Sequence, residues 1–240
     1  MEIFLIVGLT TIAAGVGTLT GFGTSTVMVP VLSLFYPLPE TLLFVGIIHW
    51  CGDVWKMTFF RKGKKPWVVI ASFGIAGILA SYIGASLSLS LSEDILLKAL
   101  GVFLLVYVGY IVAKPEFKIA TSTPFAITGG LLSGITAGLF GVGGAVRSAF
   151  LTMYNQPKEV YIFVSGAIAF AIDATRIGTY FFGGTVFDQF SWLTIVLSIP
   201  ASFLGAYLAK RIVDKIEQKY FRVVIGIFLA AVALRFIIFS

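Results

Sequence analysis

The sequence predicts an all-α polytopic membrane protein made of two inverted repeats, each of about five membrane segments including a Gly-broken helix pair. Three observations carry this reading. First, 58% of the 240 residues are hydrophobic and only 12% are charged, where a soluble domain carries about 25% charged residues. Mean hydropathy is +1.01, so there is too little polar surface to cover a globule in water. Second, several apolar windows exceed the roughly 18 residues that a helix needs to cross a bilayer. They are long and rich in Leu, Ile, Val, Phe, Gly and Ala, unlike the short alternating strands of a membrane barrel. Third, the chain repeats itself. An offset of 120 aligns Leu19 with Leu139, Gly21 with Gly141, Gly23 with Gly143, Pro37 with Pro157, Gly46 with Gly166, Asp53 with Asp173 and Lys56 with Arg176. A five-residue insertion near 184–191 moves the offset to 125, which aligns Trp67 with Trp192, Tyr82 with Tyr207, Gly101 with Gly226 and Phe103 with Phe228. Chance matches of apolar sequence rarely keep Gly, Pro, Asp, Trp and Tyr in one register.

Membrane segments are predicted at 2–20, 24–36, 41–60, 67–91, 95–113, 124–140, 144–154, 160–182, 192–209 and 223–240. The first repeat covers 1–118 and the second 119–240. Residues 2–20 lack a basic leader and carry Glu2, so they read as a membrane segment and not as a signal peptide. The stretch Thr20-Gly21-Phe22-Gly23-Thr24 breaks the first two segments apart, and Gly141-Val142-Gly143-Gly144 breaks the sixth from the seventh. The short pieces after each break reach only about 16–20 Å at 1.5 Å per residue, which suits half-helices that turn back. Trp50, Trp55, Trp67 and Trp192 include interface anchors.

Loop charge orients the halves. The loop Arg61-Lys62-Gly63-Lys64-Lys65 is basic, while its partner 183–191 has no Lys or Arg and carries Asp188. The loop at Glu93 and Asp94 is acidic, while its partner 209–222 holds Lys210, Arg211, Lys215, Lys219 and Arg222. Equivalent loops with opposite bias require an odd number of crossings per repeat, because Lys and Arg stay cytoplasmic. The expectation is a multi-pass protein of the cell (cytoplasmic) membrane with both termini extracytoplasmic. The net charge of +6 thus reflects topology and not nucleic-acid binding.

Chemistry concentrates at the breaks and at the intramembrane charges. A half-helix that starts after Gly21 and Gly23, or after Gly141, Gly143 and Gly144, aims unpaired amides and a positive dipole end at one point. Thr24, Ser25 and Thr26 add hydroxyls there, and Arg147 follows the second break with a guanidinium suited to a carboxylate or sulfonate. The other reading of these glycines is close helix packing. Asp53 with Lys56 and Asp173 with Arg176 are each one turn apart, so each couple can pair. The couples either flank a central site, one towards each face, and gate it, or serve as structural ion pairs. His49, the only histidine, precedes Asp53 by one turn and is either a proton-coupling group or a packing residue. The single Cys51 excludes a disulfide framework and a cysteine metal cluster. No Walker motif, metal-ligand spacing or Ser/His/Asp set is present, so an enzyme, an ATP-driven pump, a cofactor and a bound metal are not expected.

With Gly21-Phe22-Gly23 and Pro30 in the first half and Gly141-Val142-Gly143-Gly144 in the second, the whole chain resembles the sulfite exporter TauE/SafE family, also called the four-toluene-sulfonate uptake permeases. The resemblance implies transport of small sulfur-containing or organic anions such as sulfite, sulfoacetate and related sulfonates, with proton coupling. Thr24 and Ser25 stand where the family often has further glycine, Phe150 where a second-half proline is common, and Arg147 where apolar residues usually follow. The resulting expectation is a secondary transporter of a small anion by alternating access. A passive anion channel and a non-transporting membrane scaffold are the alternatives.

Overall fold

The computed structural model describes residues 2–20, 23–113, 122–212 and 218–239. Gly21, Lys215 and the repeat boundary at 118 and 119 lie outside the described residues. Among those described, the chain forms ten α-helices: α1 (Glu2–Thr20), α2 (Ser25–Leu32), α3 (Leu38–Phe59), α4 (Trp67–Ser90), α5 (Glu93–Ala113), α6 (Thr123–Phe140), α7 (Gly144–Thr152), α8 (Lys158–Phe182), α9 (Trp192–Ile212) and α10 (Gln218–Phe239). Five of them, α1, α4, α6, α8 and α9, are long and apolar enough to cross a membrane. α3 is equally long but carries Glu40, His49, Asp53 and Lys56, all buried. The outer surface is the reverse: Phe4, Ile75, Leu79, Val106, Leu193 and Ile227 are each more than half exposed. Charge inside and hydrocarbon outside is the arrangement a bilayer stabilises. The protein is a polytopic all-α membrane protein.

Local sequence explains where helices begin and end. Pro37 and Pro157, superposed by the 120 offset, precede α3 and α8 in the same extended conformation (φ −54°, ψ 137° and φ −53°, ψ 141°). A proline at a helix start loses no hydrogen bond, because that N–H has no intrahelical partner anyway. Gly141 takes positive φ (69°) where α6 ends, and Gly23 does so (87°) just before α2, a conformation that side chains oppose. The helices that follow, α2 and α7, have 8 and 9 residues and span only about 12–14 Å. Both fold back. Val31, Leu32, Phe35 and Tyr36 line a groove with Leu5, Ile6 and Leu9 of α1, and Tyr154 after α7 donates to the carbonyl of Ser122 beside the start of α6 (3.2 Å).

The helices pair in a pattern that maps onto itself when α1–α5 are exchanged with α6–α10. α1 packs on α9 as α6 packs on α4, α4 packs on α8 as α9 packs on α3, and α3–α8 and α5–α10 each map onto themselves. The α4–α6 pair is close because Gly130, Gly134 and Gly138 sit on Phe73, Gly77 and Ser81 with no room for a methyl group. Without a hydrophobic force between helices in lipid, such backbone proximity supplies the packing energy. The contacts of α3 with α8 run antiparallel: Gly46 meets Ile177 and Arg176, His49 meets Asp173, and Gly166 meets Lys56 and Asp53. α5 and α10 are likewise antiparallel, with Gly101 on Ala233 and Gly226 on Val108.

The two ends of the bundle differ in charge. At one end Lys62, Lys64 and Lys65 border a cleft of about 690 Å³ with Lys158. Lys210 of the other half reaches the same end, its Nζ 5.2 Å from the Phe59 ring centroid. At the opposite end Glu93 Oε1 accepts from Leu38 N (2.6 Å). There the buried Glu40 Oε1 accepts from Gln189 N (2.6 Å) and Phe190 N (2.8 Å). Phe190 is thereby fixed between Phe44 (centroids 4.2 Å apart) and Tyr36 (4.6 Å). Lys62, Lys64, Lys65 and Lys210 thus share one face, and Glu93, Glu40 and the loop at Gln189 share the other.

Candidate functional site

At the crossing of α3 and α8 the charged side chains form one continuous chain. Lys56 Nζ donates to Asp53 Oδ1 at 2.8 Å, and Asp53 Oδ1 lies 3.7 Å from His49 Nε2. His49 Nδ1 lies 2.6 Å from Asp173 Oδ2, and Arg176 Nε donates to Asp173 Oδ1 at 2.6 Å. Arg176 Nη1 continues to the carbonyl of Leu42 on α3 (3.3 Å). Two i,i+3 couples on different helices are thus joined through one imidazole. They are joined end to end, with Lys56 towards the basic end of α3 and Arg176, at Leu42, towards its acidic end. All five side chains are buried, from 0% exposure at Asp53 and Arg176 to 5% at Lys56.

Each Gly-rich turn abuts one part of this chain. A Cβ on Gly23 would lie 2.5 Å from His49 Nε2, and one on Gly141 would lie 3.3 Å from Arg176 Nη1. Only glycine allows the backbone this close to the imidazole. Beside the first turn, Thr24 Oγ1 and Ser25 Oγ are buried without a hydrogen-bond partner, and Thr24 faces Gly52 of α3. Thr26 is also buried. An unsatisfied buried hydroxyl is costly and calls for an explanation.

The second turn is built differently. Ser133 Oγ donates to the carbonyl of Gly143 at 2.9 Å, and Tyr180 donates to the carbonyl of Gly138. Val142 and Ala145 make this turn apolar and buried, with Gly144 also buried. Arg147, only 2% exposed, directs Nε to Ser165 Oγ of α8 at 3.0 Å, about two turns before Asp173. Its neighbour Ser148 bonds Tyr161. Arg147 thus meets α8 away from the Asp173–Arg176 couple.

Ser133, Ser165, Tyr180 and the carbonyl of Leu42 were not among the residues singled out from sequence. A signal for three of them exists. At the 120 offset Ser133, Ser165 and Tyr180 match Ala13, Val45 and Phe60. Likewise His49 matches Ala169, and Arg147 matches Val27. Polar residues that appear in one repeat and not in the other collect at this site.

Ligand atoms of His49, Asp53 and Asp173 lie within 4.8 Å of one another, a spacing that a metal ion could bridge. Lys56 and Arg176 already neutralise both carboxylates at 2.8 and 2.6 Å. A divalent ion would leave two uncompensated positive charges in a buried site, so the group fits an ion-pair relay better than a metal centre.

A family model described as sulfite exporter TauE/SafE matches residues 5–236. A protein of Methanocaldococcus jannaschii, described as a probable membrane transporter protein, is 26% identical over 264 residues, with 98% of this chain and 94% of that protein covered. Matched over almost its whole length, this chain belongs to the sulfite exporter TauE/SafE family of membrane transporters.

Proposed function

We propose that the protein is a secondary transporter of a small organic or sulfur-containing anion (sulfite, sulfoacetate or another sulfonate), working by alternating access with a proton as coupling ion. The observation that carries this reading is the buried chain from Lys56 to Arg176, which crosses from one half to the other and abuts both Gly-rich turns. A set of ionised groups in the membrane is expensive, and apolar residues of similar volume often pack with equal or better stability. A mere fastening between helices would not need it.

In this reading the anion sits between the halves. Gly23, Thr24, Ser25 and Thr26 hold it from one side, and Gly141, Gly143, Gly144 and Arg147 from the other. Lys56 and Arg176 supply positive field along the path. His49, Asp53 and Asp173 carry the proton and gate the site. The halves are read as inverted copies: the equivalent pairs α3–α8 and α5–α10 run antiparallel, as copies related by an axis in the membrane plane must. The positive-inside rule then puts the face with Lys62, Lys64, Lys65 and Lys210 in the cytoplasm. Both termini then lie outside, and the loop holding Phe190 closes the outer side.

The test is flux of radiolabelled sulfite and sulfonates in proteoliposomes. Uptake that is accelerated by unlabelled anion on the far side, and driven by a pH gradient, is the expected result. Conductive flux without such exchange identifies a channel, and no flux of any of these anions sinks the reading. Arg147→Ala is expected to abolish anion binding while the protein stays folded in detergent, checked by ligand-induced thermal shift.

A further inference from the structure

We propose that the coupling proton resides on His49 Nε2 and that the turn Gly23–Ser25 holds the oxygens of a small oxyanion against it, so that proton and anion load as one pair. The inference rests on the transport reading above and specifies its site.

The argument begins with charge. Lys56 and Arg176 are positive, Asp53 and Asp173 are negative, and a neutral His49 leaves the chain at zero. One added proton makes it +1 in a site where every member is at most 5% exposed. At low effective dielectric an uncompensated charge is costly. A monoanion beside the imidazolium restores zero. Arg147, buried and bonded to Ser165 of α8, adds fixed positive charge on the far side of the anion, so the count ties the added proton to an added negative charge and leaves the valence of the anion open.

Geometry assigns the nitrogen. Nδ1 lies in ionic contact with Asp173 Oδ2 at 2.6 Å, which sets the orientation of the ring. Nε2 is left facing the first turn, against Gly23, with Asp53 Oδ1 at 3.7 Å as its nearest ionic neighbour. The turn meets it with groups suited to oxygens: the start of α2, whose first amides lack intrahelical acceptors, and the buried hydroxyls of Thr24 and Ser25 without partners. A protonated Nε2 adds a charge-assisted donor at the same point.

Among the described residues, His49 is surrounded by two carboxylates and two cations, with Cys51 on α3 and Tyr180 on α8 as the further titratable groups nearby. On α3 the charged groups near His49 are Asp53 and Lys56, and on α8 they are Asp173 and Arg176. α2 has none. Those of α1, α5 and α9 lie towards the helix ends: Glu2, then Glu93, Asp94 and Lys98, then Lys210 and Arg211. The other half has Ala169 at the position of His49, so one proton loads per anion.

The experiment is calorimetric titration of the full-length protein with methanesulfonate, which stays singly charged, at several pH values and in buffers of different ionisation enthalpy. Linkage requires about one proton taken up per anion, and a Kd that rises with pH by up to about tenfold per unit wherever that uptake is seen. His49→Gln is expected to bind weakly with no pH slope. Ser25→Ala is expected to bind more weakly with the slope retained. Binding by the wild type without proton uptake, or a slope that survives His49→Gln, overturns the pairing of proton with anion while leaving an anion transporter in place. Failure of methanesulfonate, acetate and sulfite to bind at any pH overturns the transport reading and this inference together. If His49→Gln does not fold, the proton count on the wild type decides alone.

Discussion

The two Gly-rich turns each hold one glycine at positive φ and differ in chemistry. Gly23 and Gly141 both take positive φ, and each precedes a folded-back helix of 8 or 9 residues. The first turn offers unpartnered hydroxyls to a titratable imidazole. The second is apolar, pinned by Ser133 to the carbonyl of Gly143 and backed by the permanently charged Arg176 and Arg147. The two positive-φ glycines are not equivalent in the repeat, since the 120 offset pairs Gly23 with Gly143, whose φ is −81°; the turns thus differ in backbone as well as in side chains. In the proposed mechanism one half exchanges the proton and the other supplies fixed positive charge. A transporter with two identical cradles would have no reason to load proton and anion at the same place.

The aspartates give the largest contrast. Asp173 faces Arg176 at 2.6 Å and His49 at 2.6 Å, whereas Asp53 faces Lys56 at 2.8 Å and stands 3.7 Å from His49. Asp173→Ala strands a guanidinium that is fully buried and stays protonated. Breaking a buried pair in this way costs about 3–5 kcal/mol. Asp53→Ala strands an ammonium that is slightly less buried (5% exposed against 0% for Arg176), so a smaller loss is expected. Thermal melts in detergent decide the order. Equal losses would mean that the relay is energetically symmetric and that the contrast between the halves is superficial. Asp173→Ala with Arg176→Met should recover most of the stability and none of the anion binding.

A methyl group at each turn gives a second, smaller contrast. Both Gly23→Ala and Gly141→Ala force a side chain into positive φ, a strain of about 1–3 kcal/mol. The methyl of Gly141→Ala meets Leu42 Cδ2 at 2.9 Å and Val29 Cγ2 at 3.1 Å, mobile ends of side chains that can give way. That of Gly23→Ala meets the imidazole at 2.5 Å and drives it from its place against the turn. Similar losses of melting temperature are expected, with methanesulfonate binding abolished by Gly23→Ala and only weakened by Gly141→Ala. The reverse pattern would place the anion at the second turn.

Most of the helix plan was legible because it is written locally. Apolar run length, the Gly-rich breaks and Pro37 and Pro157 mark the helix ends within a few residues. The couples Asp53–Lys56 and Asp173–Arg176 are visible at one-turn spacing. Their union was not, because it depends on the register in which α3 crosses α8, and no local pattern encodes a contact between His49 and Asp173. The grip of Glu40 on the amides of Gln189 and Phe190 was hidden for the same reason. From sequence that loop is only the place where the second repeat is five residues longer. Ser133, Ser165 and Tyr180 were legible in principle, but only by asking where the repeats disagree instead of where they match.

The smallest expected effect tests whether such disagreements matter. Ser133 matches Ala13, which is fully buried, so the first half forms its turn without this hydroxyl pin. Ser133→Ala makes the second turn resemble the first and deletes one neutral hydrogen bond, worth about 1 kcal/mol. The carbonyl of Gly143 also accepts from Arg147 N at 3.0 Å, so it keeps a partner and no large penalty for an orphaned acceptor follows. If the pin serves only to hold α7 against α6, the melting temperature falls slightly and methanesulfonate affinity is unchanged. If the second turn must be rigid to present Arg147, affinity falls by more than the stability change explains. The second outcome is expected, because the fixed charges of that half can work only where their backbone does not move.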